Sequence, residues 1–182
     1  ENIVKKFGLP AVVAINRFPS DTERELEMVF DACSNFGVPV AISEVFSKGS
    51  EGGLDLAKKV IETVEKGQNQ FKFVYSDELG IKQKIETIAR EIYGADGVDF
   101  SSEANREIRN LEALDYGKLP VCMAKTQYSL SEDPKLLGRP EGFRITVRQI
   151  KVSVGAGFIV ALTGSIMTLP GLPKVPSAEK ID

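Results

Sequence analysis

The sequence contains no histidine. Ser-His-Asp triads, histidine general bases and His-ligated metal centres are therefore excluded within these residues. Cysteine is scarce: Cys33 and Cys122 are the only two, far apart in apolar helix- or strand-like patterns. They read as buried thiols in a reducing compartment. Neither sign of charge dominates, since 23 basic and 26 acidic residues leave a net charge of −3. That balance argues against a nucleic-acid footprint or a membrane-surface role. There is no long apolar run either. The longest, "VSVGAGFIVALTGSIM", is interrupted by Gly, Ser and Thr and is short for a membrane-spanning helix. What remains is a chain of 182 residues, 42% hydrophobic and 27% charged, with the composition of a globular protein. It is long enough for one sizeable core or two small ones. It opens on Glu1 and closes on "AEKID", which reads as a piece of a longer polypeptide.

Local patterns place the elements. Pro10 to Ile15 is a continuous apolar run, expected as a strand covered on both faces. "SDTE" offers Ser20 as a helix cap with Glu23 three residues on, and Leu26, Val29, Phe30 and Cys33 follow at helical spacing up to Gly37. Val38 to Ile42 repeats the strand pattern, the polar loop "SKGSEGG" follows, and a helix is expected over 54–65 with Leu56, Val60 and Val64 on one stripe. This βαβα order over 1–70 calls for a right-handed crossover and a parallel sheet. Residues 71–118 read as a helical segment. One helix carries Ile81, Ile85, Ile88, Ala89 and Ile92; a second is capped by Ser101 or Ser102 and closed by Gly117. Over 119–182 the pattern is strand-rich. Leu119 to Ala124 ends in a long polar loop, then Phe143, Ile145, Val147 and next Ile150, Val152 and Val154 alternate with polar residues. A further apolar strand follows "GAG", where a bulge or close backbone approach is expected.

Two loops carry the chemistry. "INRFPSDTE" and "ISEVFSKGSEGG" each follow an apolar strand and each place one aromatic, Phe18 and Phe46, in the polar segment. In open α/β sheets ligands bind beyond the carboxyl ends of the strands, and exposed rings there suit a flat ligand. The alternative is that each ring folds back over the sheet edge as core. The layout also resembles the guanine-reading strands of P-loop GTPases. Pro19 stands where those carry the base-reading aspartate, and Ser43-Glu44-Val45 where they carry Ser-Ala-Lys. "SKGSEGG" lacks the Gly-Lys-Ser/Thr ending of a Walker loop. At the end of the later strand, Lys125, Thr126, Gln127 and Tyr128 offer a charge, hydroxyls and an amide. They fit polar ligand contact or a self-satisfied surface loop equally.

Long colinear segments then resemble one family. "KFGLPAVVAINRFPSDTE", "SEVFSKGSEGG", "EIYGADGV", "LPVCMAKTQYSLSEDPKLLGRPEGF" and "MTLPGLPKVP" are similar to the carboxyl-terminal portion of formate–tetrahydrofolate ligase (formyltetrahydrofolate synthetase), in its bacterial monofunctional form. The resemblance implies an α/β fold: part of a P-loop NTPase-like parallel sheet with flanking helices, then a helical segment and a β-rich carboxyl-terminal segment. It implies ATP and Mg²⁺ as cofactors and tetrahydrofolate and formate as substrates. Formate attacks ATP to give formyl phosphate, and N10 of tetrahydrofolate takes the formyl group. It implies a cytoplasmic homotetramer in one-carbon metabolism, with no nucleic-acid or membrane partner. The family's folate ring is held between two aromatics that correspond to Phe18 and Phe46, the latter standing where bacterial relatives often carry tryptophan. Asn16, Glu44, Lys125, Thr126, Gln127 and Tyr128 are further cleft-lining candidates. The family's phosphate-binding motifs do not occur in these residues, so no catalytic residue or metal ligand is assigned and the chain alone is expected to be inactive. A GTPase-like regulatory module and a catalytically silent assembly scaffold are the competing readings.

Overall fold

Val13 and Ile15, like Val40 and Ile42, are β-branched residues at alternate positions, and they form two short strands. In the computed structural model, which describes residues 1–166 together with Val175 and Glu179, the chain divides into two units, Glu1–Val74 and Tyr75–Asp182. The "MTLPGLPKVP" segment lies outside the described residues apart from Val175.

In the first unit, β1 (Val13–Asn16) and β2 (Val40–Ser43) pair in parallel, with Val13 opposite Val40 and Asn16 opposite Ser43. The crossover between them is α1 (Glu23–Asn35). Its cap is Thr22, two residues later than the expected Ser20. Thr22 Oγ1 accepts from the Glu25 N–H at 3.3 Å, and Glu25 Oε2 accepts from the Thr22 N–H at 2.9 Å. Both residue pairs have the spacing of a capping box; Ser20 is taken up by the preceding turn. Gly37 closes the helix in the left-handed region, as expected, with φ +69°. β2 is well buried, but β1 is not covered on both faces. It pairs with β2 alone among the described residues, and Ala14 and Asn16 share a face that this unit leaves open. After β2 come a single helical turn, α2 (Val45–Lys48), a 3₁₀ segment (Gly49–Gly53) and α3 (Leu54–Glu65). α3 packs on β2. Its inward stripe is Leu56, Lys59 and Thr63, whereas Val60 and Val64 are exposed. Lys59 reaches the sheet because its Nζ donates to the Val40 carbonyl, so the stem is covered while the charge finds an acceptor.

The second unit opens with α4 (Ile81–Ile88), extended by a π-type turn (Ala89–Tyr93) to Gly94. Next comes β3 (Gly97–Phe100), a strand unforeseen inside the stretch read as helical. α5 (Ser102–Ala113) is capped by Ser101, whose Oγ accepts from the Ala104 N–H at 3.0 Å. It ends with Asp115 at φ +66°, before Gly117. β4 (Val121–Ala124), β5 (Arg144–Ser153) and β6 (Phe158–Thr163) complete a mixed sheet of order β3-β5-β6-β4, in which only β5 and β6 are antiparallel. Ile81, Ile85 and Ile108 from the helices meet Ile145, Val147 and Ile159 from the strands in the core.

The switch from odd to even inward positions in β5 is a bulge between Val147 and Gln149. Side chains of the α5 region satisfy the groups it frees. Ser101 Oγ donates to the Arg148 carbonyl at 2.7 Å, and Glu107 Oε2 accepts from the Ile150 N–H at 2.6 Å. "GAG" is therefore not the bulge. It is the tight turn between β5 and β6, with Gly157 at φ +73° and its N–H donating to Ser153 at 2.8 Å. The α/β class with open sheets and flanking helices stands as expected. Among the described residues no helix is long and apolar enough to cross a membrane.

Candidate functional site

Because β1 and β2 run in parallel, both following loops leave the same end of the sheet. The Arg17 N–H extends the ladder by one bond, to the Ser43 carbonyl at 2.9 Å. Beyond it the chain reverses over Phe18-Pro19-Ser20-Asp21. The Asp21 N–H donates to the Phe18 carbonyl at 3.0 Å, and Asp21 Oδ2 accepts from the Phe18 N–H at 2.8 Å. This doubly tied turn fixes the backbone that carries the Phe18 ring.

The second loop, polar in sequence, is helical. The Glu44 N–H donates to the Gly52 carbonyl at 3.0 Å, folding α2 and the 3₁₀ segment back on themselves. Only glycine fits at 52, since a Cβ there would lie 2.4 Å from both the carbonyl carbon and oxygen of Glu44. Phe46 rides on α2 and faces Phe18. The ring centroids are 5.6 Å apart with planes tilted by 48°. Neither ring is core: Phe18 is 42% exposed and Phe46 72%.

Asn16, exposed at the end of β1, and Glu44, half-buried at the end of β2, stand on the same rim. Lys48 Nζ donates to Glu44 Oε2 at 2.6 Å, and this bond holds the carboxyl below its ordinary range. Burial opposes that shift, while the charges of Lys48 and Arg17 add to it. Arg17 itself pairs with Glu23. The sequence reading singles out neither Asp21 nor Gly52. An aspartate closing a Phe-Pro-Ser-Asp turn is a local signal for the first; nothing local marks the second.

The remaining candidates belong to the second unit and divide among themselves. Lys125 is spent on its own loop. Its Nζ donates to the carbonyls of Thr126 at 3.0 Å and Ser131 at 2.9 Å, and also to that of Ser129. The ammonium lies 5.1 Å from the centre of the Tyr93 ring, and burial holds its pKa below the ordinary lysine value. Thr126, Gln127 and Tyr128 instead line a cleft of about 210 Å³ with Glu132, Pro134 and Ser165. Glu132 is engaged there, accepting from the Thr146 N–H at 2.8 Å and its hydroxyl at 3.1 Å. Among the described residues no group of three or more Cys, Asp or Glu is placed to hold a metal ion.

A family model described as formate–tetrahydrofolate ligase matches residues 1–182. The match takes in both loops of the ring pair and the polar loop after β4 together. Over its whole length, the chain belongs to the formate–tetrahydrofolate ligase family.

Proposed function

We propose that the chain is the folate-holding part of an ATP-dependent ligase that joins formate to tetrahydrofolate, and that Phe18 and Phe46 are the two faces of its pterin clamp. One observation carries this reading. Two exposed aromatic rings from separate loops meet at the carboxyl ends of adjacent parallel strands, where α/β sheets bind ligands. Their mutual contact leaves Phe18 42% and Phe46 72% exposed, surface that a flat ligand would cover. Ring–ring contact adds about 0.5–1.5 kcal/mol beyond burial.

In this reading the rings set the plane of the pterin and keep water off its faces. Asn16 and Glu44 present an amide and a carboxylate to its polar edge, while Thr126, Gln127 and Tyr128 line a polar cleft of the second unit. ATP and Mg²⁺ supply the phosphoryl activation of formate. The residues described here do not fit that group, for they include neither a Walker loop nor a cluster of metal-binding side chains. Activity therefore needs the phosphate-binding part of a longer enzyme, and the chain by itself forms no 10-formyltetrahydrofolate. A cytoplasmic homotetramer belongs to the same proposal.

The test uses the intact enzyme carrying these residues. Phe18→Ala and Phe46→Ala should each raise the KM for tetrahydrofolate, by about 1–3 kcal/mol of lost binding by analogy with base–aromatic stacking, and leave those for ATP and formate unchanged. Variants that melt early yet keep a normal folate KM would make the ring pair a structural contact and remove the clamp.

A further inference from the structure

Phe18 and Phe46 are mounted differently. Phe46 stands on a single helical turn and is the more exposed ring. Phe18 stands on a turn closed twice by one residue, through the backbone N–H of Asp21 and through its carboxylate. That carboxylate accepts from the Phe18 N–H, whereas the capping box of α1 is made by Thr22 and Glu25. The two jobs of this short segment, starting the helix and orienting the ring, are thus held by different side chains.

We infer that Asp21 is a positioning residue of the folate site: its carboxylate fixes the Phe18 turn, so that Phe18 is the stationary jaw and Phe46 the one that moves. The inference rests on the clamp reading above. Without the carboxylate the Phe18 N–H loses its acceptor, and the turn keeps one closing bond instead of two. The ring then samples orientations that do not stack, and part of each binding event goes into restoring the productive one. Asp21 touches no substrate in this scheme; it acts only through Phe18. Asparagine retains an acceptor oxygen at the same place, so Asp21→Asn should behave nearly as the parent.

A double-mutant cycle in the intact enzyme tests this. Asp21→Ala should raise the tetrahydrofolate KM about 3- to 10-fold, the range expected for one lost hydrogen bond, with kcat and the KM values for ATP and formate unchanged. Asp21→Asn should restore the parent value. In the Phe18→Ala background, Asp21→Ala should add nothing. If Asp21→Ala raises the folate KM equally in both backgrounds, the residue acts on its own and the inference falls. It also falls if kcat or all three KM values change together, which marks a general structural role. A Phe18→Ala effect with no Asp21→Ala effect removes the positioning role and leaves the clamp standing. No Phe18→Ala effect removes the clamp itself, and the inference with it.

Discussion

The ring of Phe46 closes onto that of Phe18 with centroids 5.6 Å apart, too near for a third ring to lie between them. A flat ligand stacked on both faces needs about 7 Å between the outer rings, two carbon–carbon contacts in series. In the proposed clamp the rings therefore part to admit the pterin. Opening gives up the direct ring contact, about 0.5–1.5 kcal/mol, and the bound pterin has to replace it. The exposed surface of Phe46 leaves it room to swing outward.

Enlarging the moving ring should tighten binding. Phe46→Trp adds stacking surface at a position 72% exposed, where no close packing opposes a larger side chain. The tetrahydrofolate KM should fall, with the melting temperature unchanged. If the larger ring instead lowers the melting temperature and leaves the folate KM unchanged, Phe46 is a packing residue.

Two glycines separate rigid from yielding neighbours. A Cβ on Gly52 would meet the Glu44 backbone at 2.4 Å, and one on Gly97 would meet Arg144 Nη1 at 2.5 Å. Backbone gives way only by a shift of the segment that carries it, so Gly52→Ala should cost about 1–3 kcal/mol and, by displacing α2, raise the folate KM. The Arg144 guanidinium can swing aside. Its bonds to Asp99, at 2.7 and 2.8 Å, join two exposed side chains, and such pairs contribute under about 1 kcal/mol. Gly97→Ala should therefore be mild. Denaturant midpoints of the two variants give the comparison, and equal losses would contradict it.

Lys84 should make stability rise with pH. Its side chain is 0% exposed, and its Nζ donates to the carbonyls of Gly117 at 2.9 Å and Leu119 at 3.1 Å. Burial holds its pKa below the ordinary lysine value, with Asp77 and Glu78 pulling the other way. Between that lowered folded value and about 10.4, the ordinary value kept by the unfolded chain, the unfolded state binds the extra proton. Stability contributed at Lys84 therefore grows as pH climbs through this window, and below it the folded state carries the cost of the buried charge. Unfolding free energies from pH 8 to 10.5 should rise for the parent relative to Lys84→Met. A constant difference would mean that the buried amine titrates as in water.

Lys125 should matter for stability before it matters for turnover. On the sequence alone, its replacement is expected to slow the enzyme with little effect on folding. Its three carbonyl partners lie within the loop that follows β4, so Lys125→Met leaves those acceptors without their donor. The expected loss is about 1–3 kcal/mol, with faster proteolysis between 126 and 142. An unchanged melting temperature and cleavage pattern would show that the loop holds itself.

Much of this molecule is written locally. The helix over 54–65, the stop of α1 at Gly37 and the phase change in β5 follow from periodicity and from glycine, because turn geometry and side-chain alternation act over a few residues. The parallel pairing of β1 and β2 follows from the crossover between them, and Phe18 and Phe46 are conspicuous as aromatics among polar neighbours. Other features depend on which polar groups the folded chain brings together. Thr22 prevails over Ser20 as the cap once the Phe18–Asp21 turn is closed. Lys59 faces the sheet because the Val40 carbonyl receives its ammonium. β3, only four residues long, gains its register from β5, more than forty residues later in the chain. Gly52 and Lys125 likewise take their roles from backbone groups brought to them by the fold. Short-range preference selects the elements; which polar group meets which acceptor is decided only when the chain has closed around both.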